Sequence, residues 1–398
     1  MTGQAGRVVV VGASMGGLRA AEAVAKAGYT GEIVVFGDEA RMPYNRPPLS
    51  KDALKDGHDE ARLEFRVPRA AAEVVWRLDT RVAASDLAAR TVTTARGEVI
   101  GWDGLVVATG LSPRRLDLQG PEDGRHVIRT VEDSARLREA LVAGTRLVIV
   151  GAGFIGCEVA ATARRLGLEV DVVAPEQVPM QRPLRHEIGA ALQRRHEREG
   201  VRFHLETVPV GFGGTERVTS VELADGTVLA ADVVVEAVGC IPEVEWLEGN
   251  ELDLRDGLLT DNAMRVEGRS DVVACGDIAR FPNLLIDEVP RRVEHWTMVT
   301  DTARKAGNTL GRLLTGEGPD PSPFAPIPSF WSDQYDLRIQ SFGSVGVGDR
   351  VDLLEGDLDG EFAAGYHRGD DLVGVVMVGL GGRHKHYRDL IAEGSGRS

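Results

Sequence analysis

The chain has 398 residues, enough for about two to four domains of ordinary size. Hydrophobic residues make up 43% and charged residues 27%, as in globular proteins that fold around apolar cores. The formal net charge of −15 argues against nucleic acid or an anionic membrane surface as a partner, and no apolar run is long enough for a membrane span.

Residues 7–39, RVVVVGASMGGLRAAEAVAKAGYTGEIVVFGDE, have the pattern of a βαβ unit. Consecutive valines predict a buried parallel strand, and a glycine-rich turn, an Ala-rich helix and a second β-branched strand follow. Compared with the dinucleotide-binding pattern G-x-G-x-x-G, the turn has Ser14 in place of the middle glycine. The second strand leads to Asp38, an acid placed to bind ribose hydroxyls, so we predict a dinucleotide site.

Residues 146–176 repeat this plan, and their turn, GAGFIG, fits the dinucleotide pattern completely. Its glycines are Gly151, Gly153 and Gly156. We therefore expect a nucleotide pyrophosphate at the N-terminus of the helix that follows the turn.

Each of these two units is followed by a predicted hairpin and then by a short buried strand that ends in glycine. The hairpins are residues 90–100 and 218–230, and the strands are residues 104–110 and 232–239. The repetition predicts two nucleotide-binding domains in one chain.

Later segments complete the predicted organisation. Residues 268–283 contain a strand that runs into Gly276 and Asp277, whose carboxylate is expected on a sugar-alcohol chain. Residues 300–314 have a helical pattern, and residues 315–328 are rich in Pro and Gly, which predicts a linker. Several antiparallel strands and a final helix follow and predict a small α+β domain.

The three cysteines, Cys157, Cys240 and Cys275, are far apart and form no C-x-x-C pair. This spacing argues against a disulfide framework, a redox-active disulfide and a metal site. The first residues enter a strand at once and lack the layout of a signal peptide, so we expect a cytoplasmic protein. The sequence is compatible with a monomer or a homodimer.

Several further motifs carry a resemblance to a known family. They are MPYNRPPLSKDAL (42–54), ATG (108–110), ACGDIARFP (274–282), RVEHW (292–296) and FWSDQYDLRIQ (330–340). Together with the two glycine turns, they resemble the FAD-dependent pyridine-nucleotide reductases. More narrowly, they resemble the oxygenase-coupled NADH-dependent ferredoxin reductases of the putidaredoxin-reductase type. Apoptosis-inducing factor and its bacterial relatives share this architecture.

The resemblance implies an α/β fold with two Rossmann-like domains of the glutathione-reductase type and a small α+β C-terminal domain. The implied FAD-binding domain is discontinuous and comprises residues 1–113 and 232–316. The implied NAD(P)H-binding domain comprises residues 114–231, and residues 317–398 form the implied C-terminal interface domain.

The resemblance also implies the site residues. Lys51 and Glu158 are the implied catalytic pair beside the nicotinamide, with Lys51 also near the flavin, and a desolvated Lys–Glu pair is tolerable where either charge alone is costly. The other residues implied for FAD are Gly12, Ser14, Met15, Gly16, Gly17, Asp38, Arg46, Val82, Ala108, Thr109, Gly110, Arg129, Gly276, Asp277, Glu294, His295, Trp296 and Trp331. Those implied for NAD(P)H are Gly151, Gly153, Phe154, Ile155, Gly156, Glu158, Glu176, Arg182 and Gly239.

The implied function is FAD-dependent NAD(P)H:ferredoxin reduction. A hydride would pass from NADH to FAD, and single electrons would then pass to a [2Fe–2S] ferredoxin that serves a cytochrome P450 or a Rieske oxygenase. Two alternatives are a redox-responsive flavoprotein binding module, as in apoptosis-inducing factor, and a direct reductase of a small quinone or nitro compound.

The second nucleotide unit departs from the expected pattern at Ala174, where an acid that binds the adenosine ribose normally ends the second strand. The site has lost affinity for NADH, or has switched to NADPH, or uses an acid elsewhere. A switch would employ basic groups for the 2′-phosphate, with Arg164, Arg165, Arg182 and Arg185 as candidates. We favour displacement to Glu176, because this stretch resembles apoptosis-inducing factor, where a later glutamate serves the ribose and a basic residue matches Arg182.

Overall fold

The computed structural model describes residues 6–58, 60–318 and 320–394. Pro319, in the predicted linker, and the terminal residues of the first and last predicted domains lie outside the described residues. The chain divides into two compact units. The first unit comprises Met1–Asn45, Glu64–Ser112 and Pro242–Ser329, and the second comprises Arg46–Leu63, Pro113–Ile241 and Phe330–Ser398.

The first unit is built on a five-stranded parallel sheet. In spatial order, its strands are Val272–Ala274, Gly104–Val107, Arg7–Val11, Glu32–Phe36 and Val75–Arg77. Val8, Val9 and Val10 are completely buried, as expected for a central parallel strand that is covered on both faces. Because all strands are parallel, the loops that follow them meet along one edge of the sheet.

Two helices of the first unit, Met15–Lys26 and Trp296–Thr315, pack closely against each other. A Cβ atom added at Gly307 would lie 2.3 Å from a carbonyl oxygen of the first helix, so only glycine permits this approach. At Gly311, an added Cβ atom would lie 2.6 Å from another Cβ atom. The second helix contains the segment predicted to be helical and begins earlier, at Trp296.

The remaining elements of the first unit are short. They are an antiparallel sheet of Val82–Asp86, Thr91–Thr94 and Val99–Gly101, a mixed sheet of Leu258–Leu259, Ala279–Pro282 and Pro290–Arg292, and the 3-10 turns Arg69–Ala71, Glu245–Leu247 and Gly276–Ile278. The antiparallel sheet includes the predicted hairpin and adds one strand to it.

The second unit contains another five-stranded parallel sheet. Its spatial order is Val201–His204, Glu169–Val173, Arg146–Val150, Val233–Glu236 and Arg125–His126. The helix Phe154–Arg165 follows the central strand, as the glycine turn predicts, and the helix Gln181–Arg198 follows the next strand along the chain. The accompanying antiparallel sheet comprises Pro209–Gly213, Ser220–Leu223 and Val228–Ala230.

The C-terminal part of the second unit is a five-stranded sheet whose paired strands are antiparallel. Its order is Ser329–Gln334, Leu337–Gly343, Asp371–Val378, Phe362–Arg368 and Arg350–Gly356. Phe362 and Tyr366 of this sheet share a buried cluster with Leu184 and Ile188 of the helix Gln181–Arg198. The parallel sheets and this antiparallel sheet confirm the predicted fold class.

The other elements of the second unit are the helices Asp52–Asp56, Glu60–Leu63, Val131–Ala140 and His384–Gly394, and the 3-10 turns Pro47–Ser50 and Val345–Val347. Two short strands, Leu111–Pro113 and Cys240–Pro242, lie where the chain passes from one unit to the other. Within the ranges that the structure describes, no helix combines the length and the apolar composition needed to cross a bilayer.

A buried ion pair stabilises the second parallel sheet. Glu236 accepts hydrogen bonds from the Arg125 guanidinium at 2.9 Å and from the backbone N–H of Leu116 at 2.6 Å. The Arg125 and Glu236 side chains are 1% and 0% exposed. Because Glu236→Ala removes the buried counter-ion of this guanidinium and leaves it only the exposed carboxylate of Glu122, we expect a loss of about 3–5 kcal/mol in the free energy of unfolding. Urea unfolding followed by circular dichroism measures this loss.

Glu122→Ala is the matched control for this prediction. Glu122 pairs with the same guanidinium at 2.9 Å, but its side chain is 75% exposed. Exposed pairs contribute about 0–1 kcal/mol, so this variant is expected to unfold almost as the wild type does. Equal losses in the two variants would contradict a stabilising role for the buried pair.

Candidate active site

Three loops of the first unit follow neighbouring parallel strands at their carboxyl ends. The turn 12–17 follows the central strand, residues 108–110 follow the adjacent strand, and the 3-10 turn Gly276–Ile278 follows the outer strand. The Thr109 hydroxyl donates to the backbone oxygen of Glu243 at 2.6 Å, which anchors the middle loop. Open α/β sheets bind ligands in the crevice outside these strand ends, so the predicted FAD residues of these loops share one edge.

The turn 12–17 is shaped for the close approach of a nucleotide. Gly12 has a φ of 117°, and an added Cβ atom would lie 2.1 Å from a backbone carbonyl oxygen. At Gly17, an added Cβ atom would lie 1.9 Å from the carbonyl oxygen of Gly12. Ser14 precedes the helix that begins with Met15 and Gly16, and its side chain makes no capping hydrogen bond. The N–H groups of the first helical turn can therefore bind an anion, and the turn fits the pyrophosphate of FAD.

The predicted ribose acid of the first unit, Asp38, lies just beyond the strand Glu32–Phe36. Its side chain is 63% exposed, and its carboxylate lies 3.1 Å from the Arg81 guanidinium. Val82, predicted beside the adenine, is buried at the start of the next small sheet. A carboxylate held by one arginine keeps free acceptor capacity for two ribose hydroxyls.

The other predicted flavin residues of the first unit precede or begin its long last helix. The backbone oxygen of Asp277 accepts a hydrogen bond from the Arg292 guanidinium at 3.0 Å, and the same guanidinium pairs with Glu294 at 2.7 Å. Burial lowers the pKa of His295 to about 4, so this ring is neutral near pH 7. Trp296 begins the helix and is half-buried.

In the second unit, the turn 151–156 has the same backbone geometry. Gly151 has a φ of 109°, and a Cβ atom added at Gly156 would lie 2.0 Å from the carbonyl oxygen of Gly151. Gly153 differs, because an added Cβ atom would have no neighbour within 4 Å among the described residues. Phe154 and Ile155 begin the helix behind Gly153. The turn therefore fits a nucleotide pyrophosphate at a helix N-terminus.

Lys51 and Glu158 form an ion pair in the second unit. The ammonium nitrogen lies 2.7 Å from Oε2 of the carboxylate, and the two side chains are 15% and 7% exposed. Lys51 also donates to the backbone oxygen of Pro47 at 2.9 Å. Both charges are largely removed from water, and each would be costly to bury without the other.

Glu158 has two further donors that the sequence did not reveal. The Ser50 hydroxyl donates to Oε2 at 2.5 Å, and the Ser332 hydroxyl donates to Oε1 at 2.6 Å. Ser332 lies 174 residues further along the chain, and only the fold brings it to Glu158. The local signal was weak: Ser332 and Gln334 are alternate residues of one strand and therefore share a face.

Ala174 stands where an acid that binds the ribose is expected, and it is only 1% exposed. Two residues further on, Glu176 is 23% exposed, and its carboxylate lies 2.9 Å from the Arg182 guanidinium. Glu176 and Arg182 both line an open cleft of about 990 Å³. A solvent-accessible carboxylate is thus present just beyond the place where the usual acid would stand.

The arginines that could bind a 2′-phosphate have different surroundings. Arg164 donates to the backbone oxygen of Leu168, just beyond its own helix, and to that of Glu199, at the end of the helix Gln181–Arg198, and therefore has a structural role. Arg165 is exposed on the same helix. Arg185 lines the cleft together with Arg182 and Glu176, and it donates to a backbone oxygen.

The remaining predicted contacts also belong to the second unit. Arg46 donates to the backbone oxygen of Arg129 at 2.6 Å, so these two predicted FAD residues are neighbours. The guanidinium of Arg338 lies 5.7 Å from the ring centroid of Trp331. Gly239, predicted for the nicotinamide nucleotide, follows the closing strand of the parallel sheet with a φ of 95°.

All three cysteines are free. Burial raises the pKa of the Cys275 thiol to about 12 and also raises that of Cys157. A protonated buried thiol is a poor nucleophile, so these side chains do not offer thiolate chemistry at neutral pH.

Residues 6–307 match the family described as pyridine nucleotide-disulphide oxidoreductase, and residues 329–397 match the one described as reductase C-terminal. The chain belongs to the pyridine nucleotide-disulphide oxidoreductase family. It is 35% identical over 395 residues to the ferredoxin–NAD(+) reductase component of the anthranilate 1,2-dioxygenase system of Burkholderia cepacia, with 97% of this chain and 94% of that protein covered.

Two solved structures are similar over almost the whole chain. The ferredoxin reductase for the CYP199A2 system of Rhodopseudomonas palustris matches with a TM-score of 0.89 at 34% identity, covering 97% of this chain and 95% of its own. The covalent putidaredoxin reductase–putidaredoxin complex matches with a TM-score of 0.89 at 30% identity, covering 98% and 93%. These similarities confirm the family that the motifs predicted.

Proposed function

We propose that this chain is an FAD-dependent NADH:ferredoxin reductase that supplies single electrons to an oxygenase system. The observation that carries the proposal is that each unit has a glycine turn, suited to a nucleotide, at the carboxyl edge of its parallel sheet. In addition, all three cysteines of the chain are free. The first turn, with Asp38, suits FAD. The second turn, in the unit that holds the Lys51–Glu158 pair, suits a nicotinamide nucleotide.

When bound, FAD supplies the chemistry of accepting a hydride from a reduced nicotinamide and releasing the electrons singly. The residues of this chain bind, orient and stabilise charge. The Lys51 ammonium provides a positive charge that stabilises negative charge gained on reduction. Glu158 offsets the cost of burying this lysine, and the hydroxyls of Ser50 and Ser332 hold its carboxylate in place.

The acceptor that we propose is a [2Fe–2S] ferredoxin serving a Rieske oxygenase or a cytochrome P450. One similar structure is a reductase in covalent complex with putidaredoxin, and the Burkholderia relative is the reductase component of a dioxygenase system. The free cysteines support one-electron output rather than disulfide reduction, and they also support a cytoplasmic location.

Purified holoprotein tests this function in the steady state. We expect FAD to be released from the protein by heat. We also expect the oxidation of NADH to depend on added [2Fe–2S] ferredoxin, with cytochrome c as the final electron acceptor. Glutathione disulfide is the matched control, and we expect no turnover with it because the chain has no redox-active cysteine pair. Rapid turnover with a small quinone, and none with ferredoxins, would favour a direct reductase instead.

Within this proposal, the coenzyme is NADH, held through Glu176 instead of an acid at position 174. We expect Glu176→Ala to lower kcat/KM for NADH about tenfold to hundredfold, since hydrogen bonds to a charged group contribute about 1.5–3 kcal/mol. We expect kcat/KM for NADPH to stay constant or to rise, because the variant removes an acid that repels a 2′-phosphate and leaves Arg182 without its carboxylate.

Arg182→Ala is the control for the coenzyme prediction. It breaks the same ion pair but keeps the carboxylate, and the Arg182 side chain is 84% exposed. We expect kcat/KM for NADH to change less than about fivefold, as for other exposed pairs. If Glu176→Ala leaves the NADH value unchanged, the displaced-acid explanation is wrong.

A further inference from the structure

Within the second unit, a line of polar side chains runs from Glu158, each joined to the next by a hydrogen bond. The Ser332 hydroxyl lies 2.6 Å from Glu158 Oε1, and the Gln334 amide nitrogen lies 3.0 Å from the Ser332 oxygen. His196 Nε2 lies 2.8 Å from the Gln334 amide oxygen, and the Tyr335 hydroxyl lies 3.1 Å from His196 Nδ1. Ser332, Gln334 and His196 are 0%, 3% and 1% exposed.

The direction of each hydrogen bond in this line follows from the carboxylate at one end and from the neutral His196 ring near the other. A carboxylate offers only acceptors, so Ser332 donates to Glu158 and accepts from the Gln334 amide nitrogen. The Gln334 amide oxygen then requires a proton on His196 Nε2. Burial lowers the pKa of His196 to about 4, so the ring is neutral near pH 7, and its Nδ1 accepts from Tyr335. All these bonds point toward Glu158, and hydrogen bonds in such chains polarise one another.

A strand and a helix hold these side chains in place. Ser332 and Gln334 are alternate residues of the strand Ser329–Gln334. His196 lies in the helix Gln181–Arg198, with its ring edge-on to the rings of Phe203 and Tyr335 at 5.9 Å and 5.1 Å. Neither element belongs to the glycine turn, and the proposed function assigns no chemistry to Gln334 or His196.

The two carboxylate oxygens of Glu158 have different partners. Oε2 is held by Ser50 at 2.5 Å and by Lys51 at 2.7 Å, whereas Oε1 is held by Ser332. Loss of the Ser332 hydroxyl would leave the carboxylate anchored through Oε2 alone, without the donor that fixes Oε1. Small displacements of this kind reduce the rates of reactions that depend on orientation.

We propose that Ser332, Gln334 and His196 are positioning residues of the nicotinamide site, which fix the Glu158 carboxylate against Lys51 through a directed chain of hydrogen bonds. The inference rests on the proposed function. It makes the first strand of the C-terminal sheet and the helix Gln181–Arg198 part of the support of the ion pair.

Stopped-flow reduction of the bound flavin by NADH tests the chain in the holoprotein. We expect Ser332→Ala to lower the limiting reduction rate about tenfold and to change the NADH dissociation constant less than about threefold. We expect Gln334→Met to have a smaller effect on the rate. Because Gln334 acts through Ser332, we expect the double variant to be no slower than Ser332→Ala.

Ser341→Ala is the matched control. Ser341 is a serine of the same C-terminal sheet that is 0% exposed, and its hydroxyl has no hydrogen-bond partner among the described residues. We expect this variant to be reduced at the wild-type rate. An equal loss in Ser341→Ala and Ser332→Ala would overturn the inference, because it would assign the effect to the packing of the sheet.

Nitrogen NMR of the histidine rings gives a readout that does not depend on activity. We expect the His196 ring in the wild-type holoprotein to stay neutral, with its proton on Nε2, between about pH 5 and pH 8. A proton on Nδ1, or titration near the ordinary value of about 6.5, would overturn the directed chain. If NADH fails to reduce the wild-type flavin, the proposed function is wrong, while the NMR result still decides the chain. If NADH reduces the flavin of the wild type and that of Ser332→Ala equally fast, the inference is wrong and the proposed function still stands.

Discussion

Replacing Lys51 by methionine is expected to slow the reduction of the bound flavin by NADH about 100-fold, as when one preorganised group that stabilises developing charge is removed. The Lys51 ammonium lies 2.7 Å from the Glu158 carboxylate, and both side chains are largely buried. Methionine has a similar length and no charge, so the variant removes the electrostatic contribution with little change in volume. Anaerobic stopped-flow spectroscopy at saturating NADH measures the rate.

Lys55→Met is the matched control for this variant. Lys55 lies four residues further along the same segment, is 42% exposed and lies 3.6 Å from Asp56. An exposed pair of this kind contributes about 0–1 kcal/mol to stability, and we expect the reduction rate to stay at the wild-type value.

The double variant Lys51→Met/Glu158→Gln separates a catalytic effect from a structural effect. Lys51→Met leaves a buried carboxylate without its counter-ion, which costs about 3–5 kcal/mol of stability. Glu158→Gln removes that charge, so we expect the double variant to regain stability while it stays slow. Recovery of both stability and rate would show that the pair only supports the fold.

Gly153→Val is expected to raise the NADH dissociation constant at least about 100-fold, which corresponds to about 2.7 kcal/mol. Among the described residues, an added Cβ atom at this glycine has no neighbour within 4 Å, so the backbone leaves room for a side chain here. The valine side chain would occupy the space at the helix N-terminus into which a pyrophosphate must come. Equilibrium titration with NADH measures the constant, and we expect the FAD content and the melting temperature to stay at wild-type values.

Two other glycine variants complete this test. At Gly381, an added Cβ atom also has no neighbour within 4 Å in the part of the chain that the structure describes, and Gly381→Val is expected to bind NADH as the wild type does. At Gly156, an added Cβ atom would lie 2.0 Å from a backbone oxygen, so Gly156→Ala is expected to lose stability as well as binding. Wild-type affinity in Gly153→Val would contradict the assignment of this turn to the nicotinamide nucleotide.

Local sequence was sufficient to predict both parallel sheets and both glycine turns. Buried valine runs, positive-φ glycines and Ala-rich helices act over a few residues, and their pattern specifies a βαβ unit without knowledge of the rest of the fold. The helix Val131–Ala140 also has a local signal in the sequence, because Thr130 and Asp133 form a capping box at its start.

The partners of Glu158 could not be predicted in this way. Ser50 and Ser332 are 108 and 174 residues away in sequence, and the hydrogen bonds exist because separate elements of the second unit meet at Glu158. A buried serine in a strand gives no pattern that distinguishes it from other polar residues of the sheet. The link from Gln334 to His196 likewise depends on the packing of a strand against a helix.

Electron flow from NADH through FAD to a ferredoxin is tested most directly by an anaerobic double-mixing measurement on the holoprotein. The protein is mixed first with NADH and then with an oxidised [2Fe–2S] ferredoxin. We predict rapid bleaching of the flavin, followed by ferredoxin reduction that accounts for the electrons of the NADH consumed. Slow bleaching, with a persistent long-wavelength band and no reduced ferredoxin, would contradict the reductase and indicate a redox-responsive binding protein.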